Sequence, residues 1–556
     1  MKASRYIAEY LRNLGVTDVF GIPGGVILDL IYAFDATEGI VPHLCYHEQS
    51  AGFAACGYAQ AGGRLGVAYA TQGPGFTNLL TAMADAYYDS TPVLFLTAHS
   101  VATLPEGNRL VADQEMDTCS IVRGMTKYAR RIDDAAEVVD GLSEASRIAM
   151  EGRKGPVFLD IASSLLTKEV AQPDIIPQEK QEEDVSEWVD MIAGEIRKAS
   201  RPVVLVGDGI NQTLTAGAMN AFAKKAGVPV ISSRFGHNII SDPTLYYGYV
   251  GSHGVRYANF ILSKADLVVS LGNRLNFPPA SRSYSRIVEQ AGFLRVDIDP
   301  WELEKHPRMQ KGIRADLTTL LPALAVAEKD YGHHKEWMQT CNLLRKELVL
   351  ADVDETVERL GSLLQSVPKD TVLVSDVGNN EFWLSRACVY ARKTNRTLYS
   401  KSFGALGNAL GKAIGAFYAE RKPVIVFAGD QGLQMNIQEL QYISQHRLPI
   451  TVVVLNNASS GMIKDREAMA GYPYSLHTTE QSGYAAPAFA QIAKAYGIEY
   501  RKVDPAMSLK ETDEPLLAEM EIPESLSLTP FLPKGRDIQD MEPRIPQDIY
   551  DHLNNM

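Results

Sequence analysis

The sequence has little cysteine, no excess of positive charge and no long apolar run. Its five cysteines (Cys45, Cys56, Cys119, Cys341 and Cys388) are scattered through 556 residues without C-x-x-C spacing, which excludes a disulfide scaffold and offers no zinc-site pattern. They read as buried free thiols. Lys and Arg number 54 against 67 Asp and Glu, and the resulting net charge of −13 argues against a nucleic-acid partner and against electrostatic attachment to a membrane. No apolar stretch approaches the roughly 20 residues of a bilayer span. The opening MKASRYIAEYLRNLGV has the spacing of an amphipathic helix, not of a signal peptide, so a cytoplasmic location is expected. No repeat of short period is present, which excludes a solenoid.

What the chain does contain is ordinary globular material in quantity. Hydrophobic residues make up 46% and charged ones 22%, so burial can offset chain entropy, and 556 residues exceed what one core supports; three domains are expected. From 1 to 165, helical stretches alternate with the β-rich runs VTDVFGI, RLGVAYAT, TPVLFLTA and GPVFLDI. The charged, proline-bearing stretch 166–187 reads as a linker. Between 188 and 340 the runs RPVVLVGDGI, VPVISSR, ADLVVSLG and GFLRVDIDP repeat the pattern, and TVLVSDVG, KPVIVFAGD and ITVVVLNN mark a third unit from 355 to 505. Alternation of this kind predicts an α/β fold of three doubly wound parallel-sheet domains. The segment 506–556 is rich in Pro, Glu and Asp with little periodicity, and reads as a tail that either wraps the surface or covers a site.

Ligands of open parallel sheets gather at the carboxyl ends of the strands, which directs attention to the ends of VSDVG, VFAGD and VVLNN. Gly429 and Asp430 close one apolar run, and Asn456 and Asn457 close the next. A hard divalent cation takes oxygen ligands and bridges phosphates. The Asp430 carboxylate, the Asn457 amide oxygen and a main-chain carbonyl near Ser459 could therefore hold Mg²⁺ on a diphosphate, with Gly429 letting the backbone approach. Taken alone, both dipeptides are equally ordinary turns.

The longer stretch GDQGLQMNIQELQYISQHRLPITVVVLNNASSGM resembles the diphosphate-binding motif of the thiamine-diphosphate-dependent enzymes, and YHEQSAGFAACGYAQAGGRLGVAYATQGPGFTN is similar to their pyrimidine-binding domain. The resemblance runs from residue 1 to about 500 and lies nearest the acetolactate synthase branch. It implies pyrimidine-binding, central and diphosphate-binding domains in that order. It further implies that Glu48 bonds N1′ of the aminopyrimidine and so prompts removal of the C2 proton, and that Leu406 supports the folded cofactor from below. Against this, Glu48 could be only a helix cap and Leu406 only core. Val377, Gly378, Asn379 and Asn380 look like the loop that meets the diphosphate, although the branch usually has Gln-His-Gln where this chain has Asn379-Asn380-Glu381. Gly404, Gln431, Gly461 and Met462 match further cofactor contacts. In such enzymes the active site is shared between subunits, which implies a homodimer or homotetramer.

In the central unit Gly207 and Gly209 (VGDGIN), His253 and Gly254 (GSHG), Gly272 and Arg274 (SLGNRLN), and Asp297 and Asp299 (VDIDP) resemble flavin-binding positions of the branch, implying a structural FAD. An empty domain or another nucleotide are the alternatives. Gln114 and Lys127 align with residues near the substrate, or are surface residues. The chemistry implied is decarboxylation of pyruvate or a similar 2-oxo acid, followed by transfer of the acetyl unit to a carbonyl acceptor. Two departures bear on that acceptor. Ala112-Asp113-Gln114-Glu115 stands where the branch has Ala-Phe-Gln-Glu, and Asp465-Arg466-Glu467 replaces Gln-Trp-Gln. A pocket with Asp113 and Arg466 suits a keto-sugar nucleotide, whose phosphates an Arg can grip, besides a second 2-oxo acid. A non-ligating decarboxylase of 2-oxo or acyl-CoA acids, and a flavin-linked enzyme of the pyruvate oxidase kind, are the other readings. A non-catalytic paralogue is disfavoured because Glu48, Asp430 and Asn457 are all present.

Overall fold

The computed structural model describes residues 1–100, 113–171, 183–210, 214–275, 290–304, 311–504, 507–509 and 513–556; Ala112 and residues 172–182 of the expected linker lie outside them. Three six-stranded sheets, all parallel, carry the fold. The first has the order β2-β1-β3-β4-β6-β5, from β1 (Asp18–Gly21), β2 (Val41–Leu44), β3 (Gly66–Ala70), β4 (Val93–His99), β5 (Tyr128–Ile132) and β6 (Val157–Ala162). The second runs β12-β11-β10-β7-β8-β9, from β7 (Pro202–Val206), β8 (Val230–Ser232), β9 (Tyr246–Tyr249), β10 (Leu267–Leu271), β11 (Gly292–Asp297) and β12 (Lys311–Arg314). The third runs β14-β13-β15-β16-β18-β17, from β13 (Val372–Ser375), β14 (Thr397–Leu398), β15 (Val424–Gly429), β16 (Ile450–Asn456), β17 (Glu499–Lys502) and β18 (Leu516–Glu521). The expected fold class is therefore met. One boundary moves: β18 comes from the segment expected to be a tail and pairs along its whole length with β16, so the third domain reaches past residue 505.

The chain divides into two compact units. One comprises Met1–Gln178, Asp370–Glu381 and Thr397–Ser525; the other comprises Glu179–Lys369, Phe382–Arg396 and Leu526–Met556. Within the first, the helix Glu48–Gly62 packs on the helix Ala409–Glu420. Both are rich in Ala and Gly, and the contact needs it. A Cβ on Gly415 would strike the Ala54 carbonyl, and one on Gly57 would strike the Lys412 main chain. A buried ion pair fastens the same region: Lys412 Nζ lies 2.9 Å from Asp85 Oδ2 and donates to the Tyr399 carbonyl at 2.7 Å. Asp85 also accepts from the Ser400 hydroxyl, and Asp89 accepts from Lys401 N and Ser402 N at 2.7 and 2.8 Å. These bonds set the chain entering the segment that carries Leu406.

Each sheet has a switch point from which the chain winds first one way and then the other, and the crevice there is where ligands of such sheets lie. The reversals fall between β1 and β3, between β7 and β10, and between β13 and β15. Among the described residues no helix is long and apolar enough to cross a membrane.

Candidate active site

In the third sheet the polar strand ends flagged in the sequence are brought together. β15 and β16 pair with Gly429 opposite Leu455, so Asp430 and Asn457 follow neighbouring strand ends. One end of the Asn457 amide lies 2.9 Å from the Ser459 carbonyl oxygen and 3.1 Å from Asp430 Oδ1, and its other end lies 3.0 Å from the Ser459 hydroxyl. Which end carries the oxygen depends on what else is present. Without a cation the nitrogen belongs at the first end, donating to both oxygens. With a cation the oxygen belongs there, and carboxylate, amide and carbonyl oxygens then converge on one point. Neighbouring ligands of octahedral Mg²⁺ with bonds of 2.0–2.1 Å stand about 2.9 Å apart, so the three residues fit such an ion. Among the described residues no group of three or more His, Cys, Asp or Glu is placed to hold a metal; this donor set has only one carboxylate. Ala458, at φ 47°, makes the turn between Asn457 and Ser459.

Burial pushes the Asp430 carboxyl up to about 6, opposed by the Tyr484 hydroxyl, which donates to Oδ2 at 2.7 Å. Tyr484 was not anticipated: nothing in the sequence ties it to a strand end far upstream. Asp376 was missed as well, although it closes the flagged run VSDVG. Its Oδ1 accepts from Val377 N at 2.7 Å and from Gly407 N at 2.9 Å, so a single buried carboxylate joins the 377–380 loop to the Leu406 segment. Burial raises it to about 6, against the pull of those N–H groups. Gly378, Gly404 and Gly407 all take positive φ. Leu406 is half-buried; a Cβ on Gly432 would lie 3.2 Å from its Cδ1 and 3.1 Å from Asp376 Cγ, so the leucine rides over this corner.

The two asparagines of the loop do different things. Asn380 is a strut, donating to the Asp376 carbonyl at 2.7 Å and the Phe427 carbonyl at 3.3 Å, which ties β13 to β15. Asn379 donates to Asp465 Oδ2 at 3.0 Å, and its own Oδ1 is buried without a partner among the described residues. Gly461 and Met462 begin the helix Gly461–Met469, and a Cβ on Gly461 would crowd both Asn457 and Asn379. Gln431 is half-buried beside Asp430.

Glu48 is the first residue of its helix, but the cap is His47, whose Nδ1 accepts from Gln49 N at 3.0 Å. The carboxylate is thus not used for capping. Its Oε2 accepts from Asn78 Nδ2 at 2.9 Å, while Oε1, beside Gly75, has no hydrogen-bond partner among the described residues. The neighbouring residues dock on the third domain: Asn436 Nδ2 donates to Gln49 Oε1 at 2.8 Å, and Ser50 Oγ donates to Asn436 Oδ1 at 3.0 Å.

The expected substrate residues separate. Asp113 and Gln114 have exposed side chains; Gln72 Nε2 donates to the Asp113 carbonyl at 2.6 Å, and Gln114 takes φ 63°. Arg466 is exposed and its guanidinium makes no hydrogen bond or ion pair among the described residues. The Lys127 ammonium donates to the Ile148 carbonyl and, at 2.8 Å, to the Glu151 carbonyl, closing the end of the helix Ala136–Met150, and burial lowers its pKa.

In the central sheet Gly207 and Gly272 follow the strand ends at the reversal. Gly207 N donates to the Leu271 carbonyl at 3.0 Å and Gly209 N to the Gly272 carbonyl at 2.9 Å, and side chains on Gly207 or Gly209 would strike the other loop. Loop-on-loop packing by itself accounts for these glycines. Asp297 Oδ1 accepts from Asp299 N, and Asp299 Oδ1 from Trp301 N, both at 3.0 Å; Arg274 Nε donates to Glu302 Oε1 at 3.3 Å. His253 rests against the Phe382 ring, centroids 4.6 Å apart, and Gly254 is hemmed in by the Tyr249 and Gly251 main chain.

Comparison with known families agrees with this layout. The description "Thiamine pyrophosphate enzyme, N-terminal TPP binding domain" matches residues 1–121, the central-domain description of the same enzymes matches 189–324, and the C-terminal TPP binding domain matches 376–521. The chain belongs to the thiamine pyrophosphate-dependent enzymes. Within them it is an enzyme of the acetolactate synthase type. It is 32% identical to the acetolactate synthase large subunit of Lactococcus lactis, covering 97% of this chain and 95% of that one. It is 30% identical to the isozyme 2 large subunit of Escherichia coli, over 97% and 99% respectively. It is also 30% identical to the chloroplastic acetolactate synthase 1 of Zea mays, over 97% and 88%.

Proposed function

We propose that the chain is a carboligase that decarboxylates pyruvate or a similar 2-oxo acid and transfers the two-carbon acetyl unit to a carbonyl acceptor. The convergence of Asp430 Oδ1, the Asn457 amide and the Ser459 carbonyl within about 3 Å is the observation that carries this reading, since it suits the Mg²⁺ of a bound diphosphate. Thiamine diphosphate, when bound, supplies the centre that stabilises the carbanion. Val377, Gly378 and Asn379, with Gly404, Gln431, Gly461 and Met462, would line the cofactor; Asn380 would brace the loop and Leu406 would hold the folded shape. Glu48, steadied by Asn78, would accept and return the proton at the aminopyrimidine through its open Oε1.

Sites shared between subunits of a homodimer or homotetramer complete the proposal. Leu28, Tyr32, Val41, Leu44 and Met435 of the first unit are 42–71% exposed, the kind of apolar surface a partner covers. In the central domain a structural FAD would lie at the β7/β10 reversal, where Gly207, Gly209, Gly272 and Arg274 stand, with Asp297 and Asp299 at the end of the adjacent β11 and His253 and Gly254 flanking. The acceptor is a second 2-oxo acid or, given the uncommitted Arg466 and exposed Asp113, a keto-sugar nucleotide. Mass spectrometry and absorbance of the purified protein would show both cofactors. Incubation with pyruvate alone tests the acceptor: acetolactate at ordinary synthase efficiency removes the sugar nucleotide, and free aldehyde without ligation even when 2-oxo acids and keto-sugar nucleotides are supplied removes the carboligase.

A further inference from the structure

A cavity of about 410 Å³ opens in the second unit, among the helix Lys335–Leu348, the turn Val349–Asp352, the loop after His237 and residues 388–394. Its lining is unlike the rest of the protein. The whole chain carries −13, yet Arg345, Lys346, Arg392 and Lys393 all line this space and, among the described residues, no carboxylate does. Two of the four cations are fixed to the fold. Arg345 donates to the Pro243 carbonyl at 2.7 Å and to Asn342 Oδ1 at 2.9 Å, and Lys393 Nζ donates to the Val367 carbonyl at 3.0 Å. The Lys346 ammonium and the Arg392 guanidinium make no hydrogen bond or ion pair among the described residues. Gathering like charges without a counter-ion is unfavourable, and an anion relieves it.

Two further features narrow that anion. Tyr257 lines the cavity, is 5% exposed, and its hydroxyl has no hydrogen-bond partner among the described residues; a buried hydroxyl is costly until it is bonded. The wall is apolar and aromatic, with Val349 inside and Leu350 and Tyr390 exposed at 72% and 39%. Four cations ask for more than one negative charge, and an apolar wall asks for an organic body.

We propose that this cavity binds a small organic phosphate, its phosphate held by Lys346 and Arg392 against the fixed charges of Arg345 and Lys393, its body against Tyr390 and Val349. This site is separate from the thiamine diphosphate site. Calorimetric titration of the holoenzyme with adenosine monophosphate, glucose 6-phosphate and inorganic phosphate tests it, the first two distinguishing a nucleotide from a sugar phosphate. One ester should bind at least about tenfold tighter than inorganic phosphate and weaken as salt is raised. The exposed double variant K346A/R392A should lose that binding by about tenfold or more, and Val349→Trp, which fills the space without altering charge, should abolish it, with thiamine diphosphate affinity unchanged in both. The proposal is overturned if neither ester binds at millimolar concentration, if inorganic phosphate binds as well as both, or if the variants keep the wild-type affinity.

Discussion

Replacing Glu439 with Gln should make the protein more stable at pH 8 and leave it nearly unchanged at pH 5. Glu439 is fully buried in the first unit, where its Oε1 accepts from Tyr46 N at 3.0 Å. Burial raises its carboxyl from 4.5 to about 7, despite the opposing N–H. The folded pKa therefore lies above the unfolded one, and between about 4.5 and 7 the folded chain holds a proton that the unfolded chain has released. Stability contributed by this group falls as pH rises through that window. A carboxyl held at about 7 in place of 4.5 corresponds, at about 1.4 kcal/mol for each tenfold in proton affinity, to about 3 kcal/mol lost by pH 8. Gln keeps the volume and the acceptor for Tyr46 N but has no proton to lose. Other raised carboxyls such as Asp376 and Asp89, both about 6, cancel in the comparison of the two proteins. Urea unfolding of wild type and Glu439→Gln at pH 5 and pH 8 is the assay. A difference that does not change with pH, or a Gln variant less stable than wild type at pH 8, refutes the reasoning.

Three other outcomes follow from the same geometry. Glu48→Gln should lower kcat by about 10²-fold or more while thiamine diphosphate still binds, as read by steady-state kinetics beside cofactor titration; undiminished turnover would remove its role in proton transfer. Asp430→Ala should weaken Mg²⁺-dependent cofactor binding at least about tenfold, and Tyr484→Phe, which removes only the donor to Oδ2, should cost about 1 kcal/mol of that binding; titrations with and without Mg²⁺ separate the two. Lys412→Met should cost about 3–5 kcal/mol of stability by stranding buried Asp85, and much of the loss should return in Asp85→Asn/Lys412→Met. Urea midpoints of the two variants check this, and equal losses would contradict the ion-pair account.

The strands that could be read from the sequence are those buried on both faces. GVAYA of β3, VLFLTAH of β4 and VFLDIA of β6 are wholly buried and mostly apolar, and the polar Thr97 and Asp160 within them bond each other at 2.9 Å. β2, β5, β9, β12, β14 and β17, which no run announced, are all sheet edges. An edge needs little burial to pair: β2 exposes Val41 and Leu44, and β17 is EYRK. β18 was hidden for another reason. It is interior, but it sits among the Glu and Pro residues of EPLLAEMEIPE, and its buried Glu519 is held by Asn456 Nδ2 at 2.6 Å and Tyr500 Oη at 2.6 Å.

The positions of Asp430 and Asn457 were legible because an apolar run that stops on a polar residue is a local pattern, and in a parallel sheet that stop is the ligand-facing end; Val377 and Gly378 came from the family resemblance. Distant pairings leave no such trace. Tyr484 meets Asp430, Asp376 holds Val377 and Gly407 together, Lys412 meets Asp85, and four cations from two separate stretches meet around one cavity, because packing brings those segments together after the local pattern has been used up. Lys127 is a further case: its ammonium meets the Ile148 and Glu151 carbonyls at a helix end that only folding brings beside it.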